Sequence, residues 1–109
     1  MEEPTLLERT RRLLEEPLLG EQDLDTKVLL LLEAEYLRRL GRYRRLDRML
    51  AEKYGMTFEE FTARRVVQEK GYTWDVEKDA MDWETAVSGM RTMERKLREL
   101  RQSGRVQHG

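Results

Sequence analysis

The chain has 109 residues and a formal net charge of −1, with hydrophobic and charged residues each at 39%. That length allows one domain at most, with a modest core. The near-neutral balance gives no bulk attraction for nucleic acid or for an acidic partner. There is no cysteine, which excludes disulfides and thiolate metal sites and suits a cytoplasmic protein. The opening Met1-Glu2-Glu3-Pro4 is acidic and offers no secretory signal. Residues 28–32 form the longest apolar run, far short of the ~20 residues a bilayer span needs. Leucine occurs seventeen times, isoleucine and asparagine never, and proline twice, so helix is favoured and strands have little to be built from.

In chain order, residues 4–16 read as a short helix with Leu6 and Leu7 recurring as Leu13 and Leu14. Pro4 is tolerated in a first turn, and Pro17 stops the helix by removing a donor. Leu18-Leu19-Gly20 reads as an apolar connector packed on the body of the protein.

A long helix is expected over 23–54. Asp23 or Asp25 can cap its start, and Gly55 offers a left-handed end. Leu29, Leu32, Tyr36, Leu40, Tyr43, Leu46, Leu50 and Tyr54 step by three or four, which is the helical period. Gly41 interrupts this run as a bend or a close helix crossing.

Thr57 with Glu60 forms a capping box that opens a third helix over 57–70, ended by Gly71. Thr73 precedes a second long helix, over 74–101. Its Val76, Ala80, Trp83, Val87 and Met90 make a heptad seam, continued by Met93, Leu97 and Leu100 after a three-residue step. Residues 102–109 read as a frayed tail.

The expected fold is therefore all-α: two long antiparallel helices plus two shorter ones, a helical hairpin or bundle, doubled into a dimer. In this arrangement the basic stretch Arg38, Arg39, Arg42, Arg44, Arg45 and Arg48 lies beside the acids Asp75, Glu77, Asp79, Asp82 and Glu84.

Three groups of residues are candidates for function. The arginines Arg42, Arg45 and Arg48, with Arg64 and Arg65, can grip phosphates, or they can simply be solvated and paired with acids. Residues 50–57 resemble the centre of a helix-turn-helix, with Ala51 four positions before the turn residue Gly55. The would-be recognition helix, however, opens on Glu59 and Glu60, where phosphates and base edges favour basic or amide side chains.

Trp74, Met81, Trp83, Met90 and Met93 can make an adaptable partner-binding stripe. Trp83 lies on the heptad seam and reads as core, whereas Trp74 and Met81 lie off it. Catalysis finds no residues. His108 is the only histidine, no Glu-x-x-His pair occurs, and there is neither a phosphate loop nor a nucleophile elbow. No enzyme activity, metal or cofactor is expected.

The stretches Tyr54-Gly55-Met56-Thr57-Phe58-Glu59-Glu60-Phe61 and Lys70-Gly71-Tyr72-Thr73-Trp74-Asp75-Val76-Glu77, with Asp82-Trp83-Glu84 behind them, resemble a group of small prokaryotic proteins. These carry a KYGMSFEEF turn, a KGYSWEVE turn and a WE pair, and are encoded in toxin–antitoxin gene pairs as the antitoxin. The resemblance covers roughly residues 36–100. Thr57 stands where that pattern has Ser, and Thr62 where it has Glu. It implies a helical protein that binds and masks a small toxin-like partner, and it transfers no binding residues. The alternatives from other classes are a helix-turn-helix DNA-binding regulator using residues 47–66, and a self-associating structural helical protein.

Overall fold

Two capping devices organise the middle of the chain. The computed structural model describes residues 7–16 and 23–108, with side chains as far as Gln102. Its helices are α1 (Glu8–Leu14), α2 (Leu24–Tyr54), α3 (Phe58–Ala63), α4 (Val66–Glu69) and α5 (Trp74–His108). No strand occurs among the described residues, and no helix among them is long and apolar enough to cross a membrane.

The Asp23 side chain accepts the Thr26 amide at 2.8 Å and starts α2. Gly55, at φ +66°, ends it, and the Ala51 carbonyl accepts the amides of both Gly55 and Met56. A residue with a Cβ pays strain in that left-handed conformation, so glycine suits the position. Two residues on, the Glu60 amide donates to the Thr57 hydroxyl at 3.2 Å, and the Glu60 carboxylate accepts the Thr57 amide at 3.4 Å. The capping box read from the sequence is thus present.

Three boundaries differ from expectation. The helix expected over 57–70 is two short pieces, broken at Arg65, which sits at φ +53°. Phe61 and Val66 are both buried, yet five residues along a regular helix would turn them about 140° apart. The left-handed residue between them re-aims the chain so that both reach one core. At the end of the chain the backbone stays helical to His108, where a frayed tail was expected. Near the start, α1 covers part of the expected 4–16 helix, while residues 4–6, Pro17 and the 18–20 connector lie outside the described residues.

α2 and α5 pack in opposite directions, as their cross-links show. Lys53 and Tyr54 meet Asp79, Asp47 meets Trp83, Tyr43 meets Gly89, and Glu33 meets Arg101. Two clusters fill the seam. Leu50, Phe61, Val66, Val76 and Trp83 form the larger one, where α3 and α4 fold over α2 and α5. Leu40, Met93 and Leu97, with Tyr36, Tyr43 and Met90, form the second.

This register corrects the expected charge pairing. The acids of 75–84 lie beside the last turns of α2, because Trp83 sits under Asp47 and Tyr54. The arginine run therefore faces the part of α5 that follows Trp83. Arg44 meets Glu94 at 3.8 Å, while Arg38 and Arg39 both bind Glu35 of their own helix. Hydrogen bonds from Arg38 and then Arg39 hold the Glu35 carboxyl down at about 2.

The close crossing falls at Gly89, not at Gly41. A Cβ on Gly89 would lie 2.5 Å from the Tyr43 ring, whereas one on Gly41 would meet only the Arg45 side chain, at 3.6 Å. Gly89→Ala is therefore expected to cost about 1–3 kcal/mol by forcing the ring aside. Gly41→Ala is expected to gain about 0.5–1 kcal/mol from helix propensity. Urea titration of the two variants checks both signs.

Polar groups at the top of the seam make stability depend on pH. Tyr54 and Lys53 both donate to Asp79 at 2.6 Å. Burial, then the bond to Asp79, pushes the Tyr54 hydroxyl up to about 12. Burial would raise the Asp79 carboxyl, but the bonds from Lys53 and Tyr54 with the nearby lysine charges hold it below the usual range.

A raised tyrosine stabilises the fold below its unfolded value near 10, and this is lost as pH climbs from there through about 12. A lowered carboxyl stabilises above its unfolded value of about 4, and this is lost as pH falls below it. Melting curves against pH should show Tyr54→Phe flattening the alkaline loss and Asp79→Asn flattening the acid loss, relative to the parent chain.

Candidate partner-binding groove

The elbow at Arg65 does more than complete the core. Because α3 and α4 meet at an angle instead of running straight, they leave a cleft of about 390 Å³ against α5. Phe58, Phe61, Val66 and Val67 line one side, with Arg65 among them, and Ala80, Met81 and Glu84 line the other. Nearby, Gly71 (φ +70°) and Tyr72 (φ +57°) turn the chain into α5, and the Tyr72 amide donates to the Val67 carbonyl at 2.9 Å.

α5 keeps two large apolar side chains in solvent: Met81, which lines this cleft, at 53% exposure and Trp74, two turns before it, at 66%. They are one heptad apart, so they share a face of the helix. Aromatic and methionine side chains are the residue types enriched at protein interfaces, which makes this surface the candidate.

The five residues of the Trp/Met stripe therefore part company. Trp83 has no exposure, and Met93 is buried. Met90 packs half-buried on the second cluster. These three pack in the protein's own core, as their heptad-seam positions predict, and so drop out of the partner-binding stripe. Trp74 and Met81 remain at the surface.

The arginines part in the same way. Arg42, Arg45, Arg48 and Arg64 are exposed, and Arg65 lines the cleft. Among the described residues none of the five has a carboxylate within 4.0 Å in an ion pair. Four of them sit on the outside of α2 and just after α3. The helix that would enter a DNA groove, α3, has six residues, or about 9 Å of length. Both acids of its first turn are exposed, and Glu59 is 3.7 Å from Arg91.

Sequence reading missed two features. One is the cleft itself, which depends on a left-handed arginine that no sequence pattern announces. The other is the surface of the first half of α2, where Val28, Leu30, Leu31, Leu32 and Leu37 are all exposed. A signal for the second existed: fifteen of the seventeen leucines lie in the first fifty residues, more than one packed seam can cover.

No protein-family profile, curated protein or solved structure matches this chain.

Surface and core variants should separate cleanly. Trp74→Ala and Met81→Ser are expected to change unfolding free energy by less than about 1 kcal/mol, as exposed substitutions do. Trp83→Ala is expected to cost about 3–5 kcal/mol, as a large buried aromatic does. Guanidinium unfolding of the three variants checks the division.

Proposed function

We propose that this chain is a non-catalytic interaction protein, an antitoxin-like partner that binds and neutralises a small cognate toxin-like protein in the cytoplasm. The observation that carries the interaction reading is the exposed Trp74 and Met81 on one face of α5, with Met81 lining the open apolar cleft. Burying those side chains on a partner is worth about 1.5–3 kcal/mol for each large apolar residue. A helix laid into a groove is the mode that such a surface suits. The toxin-like nature of the partner rests on the sequence resemblance over residues 36–100.

Self-association is compatible with this reading and has its own support. The apolar residues exposed along the first half of α2 suit a homodimer, and they lie on a different helix from Trp74 and Met81. A DNA-binding role has less behind it, since Glu59 and Glu60 head the helix that would meet the duplex.

Co-expression from the native operon with the untagged neighbouring gene product tests the proposal. A stoichiometric small partner is expected to co-purify, and its growth inhibition is expected to vanish when this chain is present. Trp74→Ala with Met81→Asp should release the partner and restore inhibition while the fold stays intact by circular dichroism. No bound partner, together with a clean homodimer and no duplex affinity at low salt, would overturn the reading and leave a self-contained helical assembly.

A further inference from the structure

Charge along this chain is segregated in a way that the net value of −1 hides. Residues 58–84, which build the groove, carry eight carboxylates against four cations, while residues 38–48 carry six arginines against one aspartate. Around the groove, some of these carboxylates already have partners: Lys53 holds Asp79 at 2.6 Å and Lys78 holds Asp82 at 2.8 Å. Glu77 and Glu84 do not, and no cation lies within 4.0 Å of either in an ion pair among the described residues. Trp74, Glu77, Met81 and Glu84 step three, four and three along α5, so all four share one face, on which Met81 and Glu84 line the cleft and Trp74 and Glu77 extend it by two turns.

We infer that the groove takes a basic amphipathic helix. Its apolar side chains enter the cleft between Phe61 and Met81, and its lysines or arginines lie over Glu77 and Glu84. This rests on the partner-binding reading above and adds the chemistry of the occupant. An alternation of apolar anchors and unpaired acids on one helix face asks for the complementary alternation, which a helix supplies at positions three and four apart. Arg65 is the one cation among the residues lining the cleft, and it stands on the wall opposite α5. The cationic edge of the partner helix therefore lies toward α5, which sets how the helix is rotated in the groove. An anionic occupant, whether nucleic acid, acidic membrane or acidic peptide, would set its charge against Glu77 and Glu84.

The test uses the full chain and three labelled peptides of equal length, read by fluorescence anisotropy. One is an amphipathic Leu/Lys helix, the second has the same pattern with Glu for Lys, and the third is a scrambled Leu/Lys sequence with no apolar face. The amphipathic Leu/Lys peptide is expected to bind at least about tenfold tighter than either control, and to weaken several-fold as salt rises past the screening range of surface charges. Glu77→Lys with Glu84→Lys should reverse the preference between the Lys and Glu peptides, and Met81→Asp should cost about tenfold for both. All of these residues reach the surface, and a thermal melt confirms that each variant folds. If a charge-reversed variant melts early, Glu77→Gln with Glu84→Gln serves in its place, with loss of preference as the expected result.

Equal binding of the Lys and Glu peptides, equal binding of the scrambled peptide, or no binding at all would overturn the inference. So would a change in the oligomeric state of the protein alone on Met81→Asp, which would make a second copy the occupant. If the peptides fail while the neighbouring gene product still co-purifies, the interaction reading stands and the contact lies elsewhere.

Discussion

The burial of Trp83 is the constraint on which the rest of this structure depends. Its side chain has no exposure, and Tyr54, Phe58 and Phe61 pack on it with ring centroids 5.0–6.0 Å away. A tryptophan removed from water this completely contributes roughly 4–6 kcal/mol of apolar burial. Its indole N–H, however, would cost about 1–3 kcal/mol if left without an acceptor. Asp47 accepts it at 2.8 Å, from the facing helix. That bond can form at only one alignment of α2 and α5. The alignment in turn sets Tyr54 and Lys53 on Asp79, Tyr43 on Gly89 and Arg44 near Glu94.

The groove is a consequence of the same burial. Two long helices alone leave one flank of Trp83 open, and α3 and α4 exist to close it. Doing so with Phe58, Phe61 and Val66 requires the chain to break at Arg65. The break leaves the cleft on the flank of the seam, between α3–α4 and the Ala80, Met81 and Glu84 side chains of α5. Non-glycine residues in the left-handed region cost of order 1–3 kcal/mol and gather at functional places in proteins. Arg65 fits that pattern as both the break in the helix and a lining residue of the cleft.

How much of this was legible in the sequence depended on whether the signal was local. The Thr57–Glu60 capping box, the Gly55 end of α2 and the seam residues Val76, Trp83, Met93 and Leu97 follow from spacing and residue type alone. All of them appear as expected. The Asp47 partner of Trp83 and the tight approach at Gly89 are pairings between residues far apart in the chain, and no periodicity encodes them. Gly41 interrupts a leucine-rich helix, yet it is half-exposed with room beside it, while Gly89 breaks no pattern in the sequence and carries the contact. The Trp/Met stripe was legible only in part. Sequence placed Trp74 and Met81 off the seam, where they lie, but could not show that a cleft opens at Met81.

In the proposed function the partner meets the α3–α4–α5 groove, and the arginine face and leucine face of α2 serve other ends. Amide hydrogen exchange of the full chain, alone and saturated with the neighbouring gene product, tests this most directly. Slowed exchange is predicted to concentrate in residues 58–84, with residues 38–48 unchanged. Protection confined to residues 28–48, with 58–84 exchanging as in the free protein, would contradict it and move the interface to α2.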